Sequence, residues 1–229
     1  MTATPPRAVQ IVEQCQALFE DLDFNAVKQW KAAAPGRKAI GYMPVYVPRE
    51  IIHAAGMLPV GILGGGDALE VIQGDAYYQS YICRIPRSTI ELGLTGRLDC
   101  LDGMLFPSIC DVIRNLSGMW QILFKDKYVR YFDVPQNYQD AIGGNYYVHE
   151  LEVLRDGLAK LRGKPISDAE IDASIGVYNE NRPLRVPRRE ALAGADLGSL
   201  PAAARRHGAA ARGAHEARAR VRRRGRRAA

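Results

Sequence analysis

The sequence predicts an α/β fold, in which an N-terminal helix precedes a Rossmann- or flavodoxin-like parallel sheet with flanking helices. Short runs rich in β-branched, aromatic and other apolar residues alternate with amphipathic segments along residues 39–134, and this alternation is typical of a parallel sheet. Gly, Pro and Asp-Gly turn signals separate them. The 229 residues suffice for one such unit with a helical flank, but not for a second full domain.

The first element is predicted to be an amphipathic helix, because its apolar residues recur at intervals of three and four. Thr4 followed by Pro5 is the expected cap and first turn. Cys15 lies in the apolar stripe and is interpreted as a small core residue. The stripe consists of Val9, Ile11, Val12, Cys15, Leu18, Phe19 and Leu22.

A strand, a helix and a second strand follow. Residues 39–47 (AIGYMPVYV) and 58–63 (LPVGIL) are the predicted strands, and the helix between them opens on Pro48 and closes at Gly56. His53 on this helix is interpreted as a packing histidine rather than a ligand. The glycine run after the second strand lacks the Lys-Ser/Thr ending of a P-loop, so we predict no ATP site in this chain.

Two cysteines are predicted at helix N-termini. Cys83 directly precedes a helix in which Ser88 and Glu91 have the spacing of a capping box. Cys110 follows a short buried strand, GMLF, and lies in the first turn of a helix whose expected cap is Ser108. Strand ends and helix starts form the ligand crevice of an open parallel sheet, and helix N-termini favour anions, including a thiolate-bound iron–sulfur cluster.

The last elements before the tail are a strand over residues 128–134 (YVRYFDV) and two helices. Ser167 and Glu170 have capping-box spacing at the start of the second helix. The apolar stripe of the first helix consists of Tyr147, Leu151, Leu154, Leu158 and Leu161.

Spacing alone leaves the chemistry of the cysteines open. Cys83 and Cys110 are 27 residues apart and no C-x-x-C pair exists, so a shared metal site and a nucleophilic cysteine are both alternatives, although neither His53 nor His149 has a recognisable pairing context. Cys100 is interpreted as a packing residue. The arginines at positions 84 and 87 are interpreted either as holding phosphate or cluster charge, or as ordinary surface ion-pairing residues.

Charge divides the chain at residue 181. Residues 182–229 hold 14 Arg, no Lys and three acids, a net charge of +11, whereas residues 1–181 hold 17 Lys+Arg and 22 Asp+Glu, a net charge of −5. We consider three interpretations of this Arg/Ala-rich tail: an out-of-frame translation of a G/C-rich gene, a solvated tail without function, and a basic arm for nucleic acid. The first is favoured because Ala, Arg, Gly and Pro are specified by the most G/C-rich codons, and the basic arm is disfavoured because the tail lacks Lys and aromatic residues. No membrane span or signal peptide is predicted.

Four runs of residues closely resemble the 2-hydroxyacyl-CoA dehydratase family. They are GYMPVYVPREIIHAAGMLPVGILGGGD, QSYICRIPRSTIELGL, LDGMLFPSICDVIRNLSGMW and YFDVPQNY. The resemblance covers residues 9–181. It is densest with one branch of the family, the C (gamma) subunits of ATP-dependent benzoyl-CoA reductases.

The resemblance implies a cytoplasmic iron–sulfur subunit of a hetero-tetramer. The assembly would reduce the aromatic ring of benzoyl-CoA to cyclohexa-1,5-diene-1-carbonyl-CoA with electrons from reduced ferredoxin, in anaerobic aromatic degradation. ATP and Mg²⁺ would bind partner subunits only. The family's ligands for a [4Fe–4S] cluster fall on Cys83 in YICRIPRS and Cys110 in PSICD, and the match assigns no catalytic or substrate-binding residue. The alternative is a 2-hydroxyacyl-CoA dehydratase subunit, which eliminates water by radical chemistry.

The C-terminal part departs from the family pattern. The family supplies a further cysteine from a second α/β domain, and the Arg/Ala-rich tail stands in its place. We therefore expect a C-terminally truncated subunit with a disordered tail, and an inactive fragment is a further alternative. The expected organisation is a helical segment (1–36), an α/β iron–sulfur and CoA-ester domain (37–135), a helical segment (136–181) and the tail (182–229).

Overall fold

The computed structural model describes residues 7–185, which form a four-stranded parallel sheet with flanking α-helices. The strands are β1 (Ala39–Tyr42), β2 (Leu58–Gly61), β3 (Gly103–Pro107) and β4 (Tyr128–Phe132). The helices are α1 (Arg7–Glu20), α2 (Asn25–Ala32), α3 (Arg49–Ala54), α4 (Arg84–Leu94), α5 (Asp111–Leu123), α6 (Asn145–Arg162) and α7 (Asp168–Arg185). The predicted α/β class and the parallel sheet are confirmed.

The strand order is β2-β1-β3-β4, and every neighbouring pair is parallel. This is the order in which flavodoxin-like sheets begin, with a reversal of winding direction between β1 and β3. The crevice outside the carboxyl ends of β1 and β3 is where such sheets bind ligands. The topology therefore directs attention to the loops that follow these two strands.

Strand β1 is shorter than the sequence predicts, because backbone irregularities end it early. β1 stops at Tyr42 rather than Val47, and the chain then passes through Pro44, which has no amide hydrogen for a ladder. Tyr46 lies in the left-handed region at φ 55°, which is incompatible with a continuing strand. Residues 43–48 instead form a loop at the carboxyl edge of the sheet.

β2 is an edge strand and contains a proline. The Leu58 amide donates to the carbonyl of Lys38 at 3.0 Å, and the Ile62 amide donates to the carbonyl of Tyr42 at 2.9 Å. Since amides alternate in direction along a strand, Pro59 lies at a position that faces away from β1. The edge therefore tolerates a residue without an N–H group.

Two apolar clusters cover the two faces of the sheet. Met104 and Phe106 of β3 belong to one cluster, and Leu105 between them belongs to the other, as the alternation of side chains along a strand requires. All three are almost fully buried. The first cluster packs α4 and α5 against the sheet, while the second takes Leu154 and Leu158 from α6.

The N-terminal helix differs from the prediction in what it buries. Helix α1 forms, but its apolar stripe is exposed, with Phe19 62% exposed, and Cys15 is exposed as well. The interpretation of Cys15 as a core residue is therefore wrong, because a periodic stripe shows which face is apolar and not what covers it. The predicted cap, Thr4 and Pro5, lies outside the described residues.

Helices α3 and α7 agree better with the predictions from the sequence. The Ser167 amide donates to Glu170 Oε2 at 2.8 Å, and the Glu170 amide donates to Ser167 Oγ at 3.3 Å, so the predicted capping box of α7 is confirmed. His53 on α3 is exposed rather than buried, but it does pack at an interface, because its Nδ1 lies 2.8 Å from Ser174 Oγ on α7.

Within residues 7–185, no helix is long and apolar enough to cross a membrane. The tail and the interpretations attached to it lie outside the described residues, apart from the last turn of α7.

Candidate functional site at the carboxyl edge of the sheet

Cys110 lies just beyond β3, beside the switch point of the sheet. All five residues of β3 are buried, so the chain leaves the sheet from a fixed position. Cys110 is then the N-cap of α5, with extended backbone angles of φ −161° and ψ 169°. Its thiol is free and exposed. The packed sheet therefore presents Cys110 at the ligand edge.

The predicted cap of α5, Ser108, has a different role. Its Oγ accepts a hydrogen bond from the Val134 amide at 2.7 Å, which joins the loop after β3 to the chain beyond β4. Cys110 rather than Ser108 occupies the cap position, so the predicted start of this helix is wrong by two residues. A serine three residues before an acidic one resembles a cap, and only tertiary structure reveals the competing amide.

Cys83 occupies the equivalent position on α4, where it is the N-cap residue, and it is also free and exposed. The prediction that Cys83 precedes a helix N-terminus is confirmed. It ends the β2–α4 loop, residues 62–83, which contains two short 3-10 turns and no strand. Cys83 therefore does not follow a strand directly, in contrast to Cys110.

Tyr78 is the buried residue near which both cysteines lie. It is 9% exposed, and its hydroxyl donates to the Val112 carbonyl at 3.4 Å, which links the β2–α4 loop to α5. Burial raises the pKa of Tyr78, and the charges of Cys83 and Cys110 raise it further. Both cysteines therefore lie within electrostatic range of the Tyr78 hydroxyl, although they are distant in sequence.

No signal in the sequence singles out Tyr78. It belongs to an aromatic run, YYQSY, in which Tyr77 and Tyr81 are exposed in the structure. All three tyrosines precede the same cysteine, and no periodic pattern separates the buried one from the others. Only the position of α5, which supplies the Val112 carbonyl, distinguishes Tyr78.

The arginines beside Cys83 hold the β2–α4 loop. Arg84 donates to the carbonyls of Gly66 and Leu69, both at 2.6 Å. Arg87 donates twice to Asp75 Oδ1, at 2.8 and 2.5 Å. The interpretation of both residues as ordinary ion-pairing arginines is therefore supported, since their guanidinium groups already have protein partners.

Exposed apolar side chains follow each strand at this edge of the sheet. Val45 and Tyr46 come after β1, Leu63 after β2, Ile109 after β3 and Tyr138 after β4, and all are exposed. Exposed apolar surface of this kind marks sites that contact ligands or other proteins. The loops at this edge therefore carry exposed apolar side chains that could contact a ligand.

The two thiols fit half of the ligand set of an iron–sulfur cluster. A [4Fe–4S] cluster is typically held by four cysteine thiolates, and residues 7–185 contain no group of three or more His, Cys, Asp or Glu placed to hold a metal ion. The N-termini of α4 and α5 favour the negative charge of thiolate-bound iron. Cys83 and Cys110 could therefore supply at most two of the four ligands of such a cluster.

The other cysteines do not join this site. Cys100 is half-buried against the first apolar cluster, and burial raises the pKa of its thiol, so the prediction of a packing role is confirmed. Cys15 is on α1, well before the sheet in sequence. His149 is exposed on α6.

The chain has relatives among known proteins. Residues 44–193 match the family described as 2-hydroxyglutaryl-CoA dehydratase, D-component. Over 174 residues the chain is 72% identical to the C subunit of benzoyl-CoA reductase from Thauera aromatica, covering 76% of this chain and 45% of that protein. It is 36% identical over 156 residues to the beta subunit of (R)-2-hydroxyglutaryl-CoA dehydratase from Acidaminococcus fermentans, covering 68% and 41%.

A third relative, the beta subunit of lactoyl-CoA dehydratase from Anaerotignum propionicum, is 33% identical over 174 residues, which cover 75% of this chain and 45% of that protein. The chain thus spans less than half the length of these curated relatives. The family match extends over more than half of the chain and contains Tyr78, Cys83 and Cys110. The chain therefore belongs to the 2-hydroxyglutaryl-CoA dehydratase, D-component, family.

Proposed function

We propose that this chain acts as an iron–sulfur subunit of an ATP-dependent benzoyl-CoA reductase. The observation that carries the proposal is the 72% identity to a benzoyl-CoA reductase subunit, against 36% and 33% to two dehydratase subunits. Such a subunit takes part in reducing the aromatic ring of benzoyl-CoA to cyclohexa-1,5-diene-1-carbonyl-CoA. A dehydratase subunit is the second candidate, supported by the family match itself.

Cys83 and Cys110 are the proposed ligands of a [4Fe–4S] cluster. Both are exposed N-cap residues, and neither side chain caps its own helix, so both sulfur atoms are available to a metal. When bound, the cluster would supply single electrons near the reducing end of the iron–sulfur range, about −700 mV.

The chain's own residues provide the surroundings that this reaction needs. Val45, Tyr46 and Ile109 extend from the loops after β1 and β3 and would contact the apolar acyl group of a thioester. Tyr78 would hold the β2–α4 loop against α5 beneath the exposed cysteines, since its ring is buried and its hydroxyl donates to the Val112 carbonyl.

The partners follow from the proposed reaction. The named relatives are subunits of larger enzymes, which supports a hetero-oligomer with other reductase subunits. We place this assembly in the cytoplasm as part of the proposal. Reduced ferredoxin would be the electron donor. ATP and Mg²⁺ would bind the partner subunits, whose hydrolysis of ATP would drive electrons to this low potential.

Iron and acid-labile sulfide analysis of the anaerobically expressed full chain tests the ligand assignment. Replacing Cys83 or Cys110 with serine should reduce bound iron to background and abolish the cluster EPR signal. Cys15→Ser is the matched control, because Cys15 is also exposed but lies on α1. The assignment would be contradicted if all three variants lost iron equally. It would also be contradicted if neither Cys83→Ser nor Cys110→Ser lost iron.

Activity of the chain co-expressed with partner subunits separates the two candidate functions. A reductase should oxidise reduced ferredoxin in a manner that requires both benzoyl-CoA and ATP. Release of water from a 2-hydroxyacyl-CoA, without turnover of benzoyl-CoA, would instead establish the dehydratase.

A further inference from the structure

One face of α4 holds the loop that carries Cys83. The four side chains concerned, at positions 84, 87, 88 and 91, recur at helical intervals of three and four and so share a face. The first two are the arginines that bind loop carbonyls and Asp75. The other two, Ser88 and Glu91, are buried beneath the loop.

Glu91 binds two amides of the loop. Its side chain belongs to a residue only 3% exposed, and its Oε2 accepts hydrogen bonds from the amides of Ile72 at 3.1 Å and Gly74 at 2.6 Å. Ser88 Oγ accepts a hydrogen bond from the Gly65 amide at 3.1 Å. These contacts supply the buried amides of Gly65 and Gly74 and the part-buried amide of Ile72 with acceptors that the loop, having no strand, does not provide itself.

The loop approaches α4 too closely for side chains at two positions. A Cβ at Gly74 would lie 2.5 Å from the carbonyl oxygen of Arg87, and a Cβ at Gly64 would collide with Ser88 Oγ. Gly64 also has a positive φ of 75°. The glycine run that resembles a nucleotide loop therefore serves close packing of loop on helix.

We propose that Glu91 is a positioning residue for Cys83 and Tyr78. By binding the amides of Ile72 and Gly74, its carboxylate fixes the middle of the β2–α4 loop on α4. The loop can then hold Tyr78 against the Val112 carbonyl and deliver Cys83 to the N-cap of the same helix. The functional part of this inference rests on the proposed cluster role of Cys83, whereas the ordering of the loop does not.

The contact pattern makes a specific distinction between two substitutions. Both amides donate to one oxygen of Glu91. Glu91→Gln keeps an oxygen that can accept from both, while Glu91→Leu fills a similar volume and leaves the buried amide of Gly74 and the part-buried amide of Ile72 without this acceptor. A residue that merely fills space would tolerate leucine at least as well as glutamine.

Hydrogen exchange of the full chain is the first measurement. Amide exchange of peptides within residues 65–82 should accelerate about tenfold or more in Glu91→Leu and much less in Glu91→Gln. Peptides within residues 103–123 should not change in either variant. Glu152→Gln, at an exposed position of α6, is the matched control and should behave as the parent.

Iron content after anaerobic reconstitution is the second measurement. Glu91→Leu should lose most of the iron bound by the parent, and Glu91→Gln should restore it. Unchanged loop exchange in Glu91→Leu would overturn the inference, and so would faster exchange with full iron retention. If the parent chain binds no iron even when it is co-expressed with its partner subunits, the proposed function fails for this chain, while the exchange measurement still decides whether Glu91 orders the loop.

Discussion

Cys83 and Cys110 share the N-cap position of two neighbouring helices, yet the chain fixes them by different means. Cys110 follows a strand buried at every position, so apolar packing of the sheet determines its place. Cys83 ends a long loop whose middle is held by polar side chains of α4, with Glu91 the most buried of the charged ones. The position of Cys110 therefore depends on core packing, and the position of Cys83 depends on hydrogen bonds.

This difference predicts different sensitivities. Core packing is cooperative, so damage near Cys110 should appear as a loss of global stability. A loop held by a few hydrogen bonds can open locally while the sheet stays folded. Substitutions near Cys83 should therefore alter local order more than the free energy of unfolding.

The largest effect is expected from Phe106→Ala in β3. Phe106 is fully buried, and its ring lies 5.7 Å from that of Trp120. The substitution should lower the free energy of unfolding by about 3–5 kcal/mol in chemical denaturation. Phe19→Ala on the exposed face of α1 is the control, with an expected change within about 0.5 kcal/mol. Equal losses in both variants would contradict a Cys110 site built on the core.

A matched pair of glycine substitutions compares the β2–α4 loop with helix α5. Gly74→Ala should destabilise the β2–α4 loop by about 1–3 kcal/mol, because the new methyl group meets the Arg87 carbonyl. Gly118→Ala in α5 meets no atom within 4 Å and should stabilise that helix by up to about 1 kcal/mol. Chemical denaturation together with hydrogen exchange would show whether Gly74→Ala destabilises the protein and Gly118→Ala stabilises it. A destabilised Gly118→Ala variant would argue against the proposed difference between the β2–α4 loop and α5.

Ser108→Ala tests the polar contact that accompanies Cys110. The Val134 amide would lose its acceptor, with an expected loss of about 1 kcal/mol in unfolding free energy. Ser80→Ala, at an exposed loop position, should have little effect. A loss as large as that of Phe106→Ala would mean that Ser108, rather than the core, dominates the position of Cys110.

The smallest effect concerns α7, remote from both cysteines. Hydrogen bonds from Arg162 and Ser167 lower the pKa of Glu170 to about 2. A carboxyl whose folded pKa is lowered stabilises the fold above its unfolded pKa, and this contribution is lost as the pH falls through about 2. Stability measured from about pH 5 to pH 2 should therefore decline less steeply in Glu170→Gln than in the parent. Identical profiles would show that this carboxyl does not contribute.

The sequence was sufficient to predict the parallel sheet and the helix N-terminus at Cys83, because hydrophobic alternation and turn residues are local signals. The sequence was misleading where the hydrogen-bond partner of a side chain is distant along the chain. Ser88 and Glu91 have capping-box spacing but lie inside α4 and bind amides of the preceding loop, so that prediction is wrong. Ser167 and Glu170, with the same spacing, do cap a helix.

The proline in the edge strand has a consequence for behaviour at high protein concentration. A strand from another molecule that approached β2 would find no amide hydrogen at Pro59, and β2 has only four residues. A continuous intermolecular ladder cannot form there, which opposes edge-to-edge aggregation. The sheet can therefore keep one short side open to solvent without recruiting a second copy by β-pairing.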